Sequence, residues 1–187
     1  PLRSYFDFMI GDKKKVDIAD VGSGALVTIG NLKEGVKVNI FPSDILVDEY
    51  KKFWIDFGIV PMILIEKQSM ESLEYADNCF DIVHCSNALD HCCDPFSSIR
   101  ELVRICKPGG WVYLRHIKKV GHYARYRGLH QWDVDRIYEA KKCVETVFSN
   151  KSNSFLLSEC VPGFKNDVKI DHPNEGPKII SILNKGV

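Results

Sequence analysis

The stretch Val16-Asp17-Ile18-Ala19-Asp20-Val21-Gly22-Ser23-Gly24 constrains this chain more than any other. An apolar run ending in Gly-x-Gly is how an α/β sheet brings its first strand up to a ligand. The glycines permit a tight turn and a close approach of backbone to ligand. The dinucleotide fingerprint asks for a third glycine three residues on. That place is Val27, so the loop is a poor pyrophosphate cradle.

Downstream, strand-like and helix-like apolar segments alternate. Val16–Val21 reads as a first buried strand, and Leu26–Leu32 begins a helix ended near Gly35. Val36–Phe41 is a second strand. Tyr50, Phe53, Trp54 and Phe57 give 48–57 a helical face, stopped by Gly58. Met62–Glu66 is a short third strand, and Phe80–Cys85, after the Asp77-Asn78 turn, a fourth. Pro95 opens a helix through Ile105. Lys107-Pro108-Gly109-Gly110 is a break before a fifth strand, Trp111–Ile117. Lys118–Asp135 is a polar, aromatic loop of the kind that forms lids. Residues 136–149 read as a helix through Ile137, Ala140, Val144 and Val147, or as a strand pair. Phe155–Val161 and Lys178–Leu183 are the last strands, with a loop over 162–177 between them. Such alternation predicts an α/β, Rossmann-like three-layer sandwich, with a mainly parallel seven-stranded sheet and an antiparallel last strand. With 187 residues, one domain over 1–187 is expected.

Composition excludes some partners. Lys+Arg and Asp+Glu both number 25, so there is no broad basic footprint for nucleic acid. Lys13-Lys14-Lys15 reads as a solvated loop, and Lys118–Arg127 is a second local basic patch. No signal-peptide pattern and no apolar stretch of membrane-span length is seen. The seven cysteines form no C-x-x-C pair and read as reduced, which suits the cytoplasm. His84-Cys85 and His91-Cys92-Cys93 lack metal-finger spacings, so no metal site is expected.

In an open α/β sheet the ligand lies beyond the carboxyl ends of the strands. After the first strand come Asp20, Gly22, Ser23 and Gly24. An acid two residues before the first glycine suits an amino or ammonium group, which points to S-adenosylmethionine. After the second strand, Asp44 and Ile45 follow; a carboxylate there accepts hydrogen bonds from both ribose hydroxyls. Ser69, Met70 and Glu71 follow the third strand, placed to edge an adenine. Asn87 and Ala88, then Asp90 and His91, follow the fourth. Each has a plainer reading: turn glycines, a capping acid at Asp44, core filler at Met70.

Asp20-Val21-Gly22-Ser23-Gly24, Ser43-Asp44-Ile45-Leu46, Asp77-Asn78-Cys79-Phe80-Asp81-Ile82-Val83 and Leu102 through Lys107-Pro108-Gly109-Gly110 occur in an order that resembles the class I S-adenosylmethionine-dependent methyltransferases, type 11. The similarity covers residues 16–117. Asn87-Ala88-Leu89-Asp90-His91 with Asp94-Pro95, and Tyr126-Arg127-Gly128-Leu129-His130-Gln131-Trp132, resemble a bacterial subgroup associated with surface-glycan gene clusters. The resemblance implies that Asp20 and the glycine loop face the methionine part of the cofactor, and that Asp44 holds the ribose, with Ile45 beside it in the cofactor-binding set. It places Ser69 and Met70 on either side of the adenine, and Asn87 and Ala88 near the sulfonium. The family often has Asp where Ser69 stands. Ala25-Leu26 replaces the third glycine of its fuller loop.

Methyl transfer from a sulfonium needs alignment and exclusion of water, and a hydroxyl acceptor benefits from a base. His91 and His130, in the lid segment, are the candidate bases. Tyr123, Tyr126 and Trp132 shape an acceptor pocket or anchor the lid. The leading expectation is a methyltransferase acting on a small molecule or glycan, at oxygen. A nicotinamide-dependent oxidoreductase and a non-catalytic cofactor-binding subunit are the competing readings. Oligomeric state is not encoded in any motif.

Overall fold

The structure, a computed structural model, describes residues 1–140, 142–162, 165–170 and 178–186. Its main sheet contains β1 (Lys15–Val21), β2 (Lys37–Ser43), β3 (Phe80–Ser86), β4 (Cys106–Ile117), β8 (Lys165–Ile170) and β9 (Lys178–Asn184). Their spatial order is β2-β1-β3-β4-β9-β8. β1 to β4 run parallel, while β9 pairs antiparallel with both β4 and β8. A second, antiparallel sheet holds β5 (Asp133–Glu139), β6 (Lys142–Ser149) and β7 (Ser154–Leu156). The helices are α1 (Asp7–Ile10), α2 (Val47–Phe57), α3 (Pro95–Ile105), α4 (Val120–Tyr123) and α5 (Leu157–Cys160).

Strand periodicity divides the core. Ala19 and Val21, Val83 and Cys85, and Val112 and Leu114 face Ile99, Leu102 and Ile105 of α3, with Val134, Phe148 and Leu157. The alternate positions, Val16, Ile18, Ile82 and Tyr113, face Phe6, Met9 and Ile10. α3 starts where its sequence says it should: Asp94 accepts a hydrogen bond from the Phe96 N–H at 3.0 Å, and Pro95 follows. Its Arg104 fastens the approach to β3, donating to the Leu73 and Tyr75 carbonyls at 2.9 and 2.8 Å.

Several sequence expectations are corrected. No helix forms over 26–32. The carbonyls of Ile29 and Leu32 instead accept from the N–H groups of Arg3 and Leu2, at 2.9 and 2.7 Å, and Ile29 is buried. The N-terminal segment thus takes the hydrogen bonds a helix would need. Met62–Glu66 is not a strand: only Glu66 bridges to Ser43, and Met62 and Leu64 are exposed. Among the described residues the main sheet therefore has six strands, and the expected count of seven is not reached.

Residues 136–149 fold mainly into the β5–β6 hairpin, the strand-pair alternative to the helix. Val134 and Arg136 are buried on β5, and Thr146 and Phe148 on β6, a period of two rather than 3.6. Phe155–Val161 divides into the end of β7 and the α5 turn. β8 lies inside the expected loop over 162–177, of which 163, 164 and 171–177 are outside the described residues. The Lys107–Gly110 break is drawn into β4, where the register against β3 shifts between Phe80 and Ile82. Among the described residues no helix is long and apolar enough to cross a membrane.

Candidate active site

A cavity of about 210 Å³ opens beyond the carboxyl ends of β1, β2 and β3. Gly22, Asp44, Ile45, Ser69, Met70, Glu71, Ala88 and His91 of the predicted set all line it. The glycine loop is tied to β2 through the Gly22 and Ser23 N–H groups, which donate to the Ser43 carbonyl at 2.8 and 3.1 Å. Gly22 is held at φ +69°, and a Cβ there would meet the Ala88 Cβ at 2.4 Å and Met70 Cε at 3.0 Å. Only glycine lets β1, β3 and Met70 approach so closely.

Asp44 organises this wall. Its Oδ2 accepts from the Gly24 N–H at 3.0 Å and its Oδ1 from the Leu46 N–H at 2.9 Å. An ionised carboxylate has about four acceptor sites, so each oxygen retains capacity for a ligand hydroxyl. Burial and the neighbouring Asp44 push the Tyr50 hydroxyl up to about 12. Glu71 is committed structurally: its Oε1 accepts from the Cys93 and Asp94 N–H groups at 2.7 and 3.0 Å. Ser69 Oγ accepts from the Glu71 N–H at 3.3 Å, closing a small turn beneath Met70.

Asp20 is not part of this wall. Its side chain points to the opposite face of β1, where Oδ1 lies 2.7 Å from Nδ1 of the buried His84. Asp20 and His84 are paired across β1 and β3, so one register places both on that face. Ser23 and Asn87 flank the cavity through their neighbours rather than lining it. The Asn87 Oδ1 is buried with no hydrogen-bond partner among the described residues.

The two predicted histidines meet. Gln131 and Trp132 donate their N–H groups to the Asp90 carbonyl at 2.9 and 3.2 Å, strapping the end of segment 118–135 beside β3. His130 Nδ1 then lies 2.6 Å from Asp90 Oδ2 and 3.1 Å from His91 Nε2. His91 Nε2 is 3.3 Å from the same carboxylate oxygen. Asp90 is fully buried. Burial pushes its carboxyl upward, but the bonds from His91 and His130 outweigh this and hold it below the usual range. The Asp90 bond raises His91 above an ordinary imidazole, against the opposing effect of burial.

A carboxylate only accepts, so the His130 Nδ1 is the donor in its contact with Asp90. The three donor atoms are also close enough together to hold a cation, a set the sequence spacing did not reveal. The sequence placed Asp90 with His91 after the fourth strand but did not reveal that its carboxylate meets His130. That partner is forty residues away, beyond any local pattern. Trp132, by contrast, is a core residue that meets Phe155 edge-on. Tyr126 donates to Asp133 Oδ2 at 2.7 Å, and Tyr123 is exposed.

Known proteins similar to this chain are methyltransferases. The family model described as "Methyltransferase domain" matches residues 19–114. An uncharacterized methyltransferase of Schizosaccharomyces pombe is 34% identical over 115 residues, covering 56% of this chain and 41% of its own. A ubiquinone/menaquinone biosynthesis C-methyltransferase of Shewanella sediminis is 27% identical, covering 65% and 40%. A ubiquinone biosynthesis O-methyltransferase of Nitrosomonas europaea is 30% identical, covering 64% and 52%. The chain thus spans about half or less of these relatives. A S-adenosylmethionine-dependent methyltransferase from Clostridium acetobutylicum shares the fold, with a TM-score of 0.52 at 13% identity over 93% of this chain and 85% of that one.

Proposed function

The chain belongs to the methyltransferase-domain family, whose cofactor is S-adenosylmethionine, and from that premise we propose that it methylates a hydroxyl of a small molecule or glycan. The residues present fit the cofactor: a glycine cradle that a Cβ would fill, spare acceptor sites on Asp44, and an orphaned amide oxygen at Asn87. When bound, the cofactor supplies an activated methyl group on a sulfonium. Asp44 and Ile45 hold the ribose, Ser69 and Met70 edge the adenine, and Glu71 fixes that wall to α3. The loop Gly22-Ser23-Gly24 gives the backbone its close approach, and Ala88 and Asn87 border the reacting end. Asp20 acts from behind the strand, through His84.

The observation that carries the oxygen acceptor is the Asp90–His130 pair beside the cavity. Asp90 orients the His130 ring, and its Nε2 removes the acceptor's proton as the new bond forms. His91, on the cavity wall, shares the Asp90 charge and keeps the ring pair together. The glycan reading is supported by the segments 87–91 and 126–132, and free thiols at Cys79, Cys85, Cys92, Cys93, Cys106 and Cys160 suit the cytoplasm.

Turnover of labelled S-adenosylmethionine against a panel of sugar, phenol and aliphatic hydroxyls tests this reading. Methyl transfer to oxygen in at least one class is expected. Transfer only to carbon or nitrogen acceptors overturns it, as does thermal stabilisation by NADH and not by S-adenosylhomocysteine.

A further inference from the structure

Three side chains able to ligate a metal meet at one point beside the cavity that Gly22 and Asp44 line. Asp90 and His91 belong to the short turn Leu89–His91 after β3, and His130 arrives from the segment before β5. Backbone bonds steady both sides. The His91 N–H donates to the Ala88 carbonyl at 3.0 Å, and the Gln131 side chain donates to the Gly128 carbonyl at 2.6 Å. The two rings stand edge to face, with centroids 4.8 Å apart and planes at 61°, and one nitrogen of each lies near the same carboxylate oxygen.

These atoms form a triangle. Asp90 Oδ2 is 2.6 Å from His130 Nδ1 and 3.3 Å from His91 Nε2, and the two nitrogens are 3.1 Å apart. A tetrahedral ion with bonds of about 2.0–2.1 Å keeps its ligand atoms about 3.3 Å apart. Two edges match that span to about 0.2 Å, and the third has to open by about 0.7 Å. A second observation points to a cation. The other oxygen of this fully buried carboxylate, Oδ1, has no hydrogen-bond partner among the described residues. A buried anion left partly unpaired is costly, and a cation on the carboxylate offsets that cost.

The donor set selects the ion. Two imidazoles and one carboxylate suit Zn²⁺, whereas Mg²⁺ and Ca²⁺ take about six or more ligands, chiefly oxygen. The His91 and His130 side chains are 31% and 36% exposed, which gives an ion a way in from solvent and room for water as its remaining ligand. We propose that Asp90, His91 and His130 bind Zn²⁺, and that the bound ion switches off methyl transfer to oxygen. Coordination takes the Nδ1 lone pair of His130. The proton that Nδ1 donates to Asp90 leaves to solvent, and the neutral ring carries its single proton on Nε2. Nε2 is the atom that takes the acceptor's proton in the proposed reaction, so the loaded site offers no base there. The switching role rests on that reaction; the metal site does not.

The test uses the full chain without an affinity tag. Zn²⁺ is titrated in competition with a chromophoric chelator, and Co²⁺ is added to read its visible d–d bands. One equivalent is expected to bind, with the intense bands of tetrahedral Co²⁺. His91→Gln and His130→Gln, each checked for an unchanged melting profile, are expected to weaken Zn²⁺ by at least about tenfold and to lose those bands. Where one variant unfolds, the other decides. Cys93→Ser, at the exposed thiol two residues from His91, is expected to keep both. No binding, an octahedral Co²⁺ spectrum, unchanged affinity in the histidine variants, or loss in Cys93→Ser overturns the site. One equivalent of Zn²⁺ is expected to stop turnover of labelled S-adenosylmethionine, and EDTA to restore it. Undiminished or raised turnover overturns the switch. If no hydroxyl acceptor is methylated, the proposed reaction fails by itself, and the Co²⁺ spectrum still decides the metal site.

Discussion

The Asp90 carboxylate lies 2.6 Å from His130 Nδ1, although forty residues of chain separate them. The contact crosses from the end of β3 to the segment before β5, so the fold itself assembles the dyad. Under the proposed function, this contact makes the segment 118–135 a contributor of chemistry.

Asp90→Asn keeps the shape of the buried side chain and removes its charge. Turnover is expected to fall by about 10²–10⁴ with unchanged S-adenosylhomocysteine affinity, as is that of His130→Ala. Steady-state kinetics and calorimetry on both variants check this. Equal losses of cofactor affinity would make the pair structural. Turnover abolished by EDTA and restored by Mn²⁺ would assign Asp90, His91 and His130 to a metal instead.

Gly22→Ala introduces a Cβ within 2.4 Å of the Ala88 Cβ, at a φ of +69° that side chains rarely adopt. Cofactor affinity is expected to fall at least about tenfold and stability by about 1–3 kcal/mol. Adding Ala88→Gly relieves the contact but leaves the backbone strained, so rescue should be partial. Urea unfolding and calorimetry on the single and double variants measure both effects; a wild-type affinity in Gly22→Ala would contradict the close packing.

His116 sits buried on β4 with neither ring nitrogen hydrogen-bonded among the described residues, and burial pulls it down to about 4. Its folded value is below the unfolded one near 6.5. The stability it protects is therefore fully present above pH 6.5 and is lost as the pH falls toward 4. Relative to His116→Leu, the wild type should lose on the order of 3 kcal/mol over that interval. Denaturant midpoints at pH 7.5, 5.5 and 4.5 check the slope; parallel curves would show that His116 is solvated.

Residue patterns carried the parallel half of the fold well. β1, α2, β3 and α3 are specified locally, by apolar runs, an Asp-Pro helix start and a glycine stop, and packing agrees with those signals. Leu26–Leu32 misled because its helical spacing competes with the backbone of Leu2 and Arg3, a contact no local window contains. The β5–β6 hairpin was ambiguous because exposed Ile137 and Tyr138 blur its period of two. That Asp44 and Gly22 line the cavity beyond the strand ends was legible from their places after strands. The side to which Asp20 points was not, because a strand-end acid can serve either face until its register is fixed against His84.

Calorimetric titration of S-adenosylhomocysteine into wild type and Asp44→Ala tests the central assignment most directly. The account predicts one site in the wild type, and in the folded variant a loss of about 1–3 kcal/mol, the value of charge-assisted bonds to the ribose. An unchanged affinity in folded Asp44→Ala, or no binding to the wild type, would contradict it.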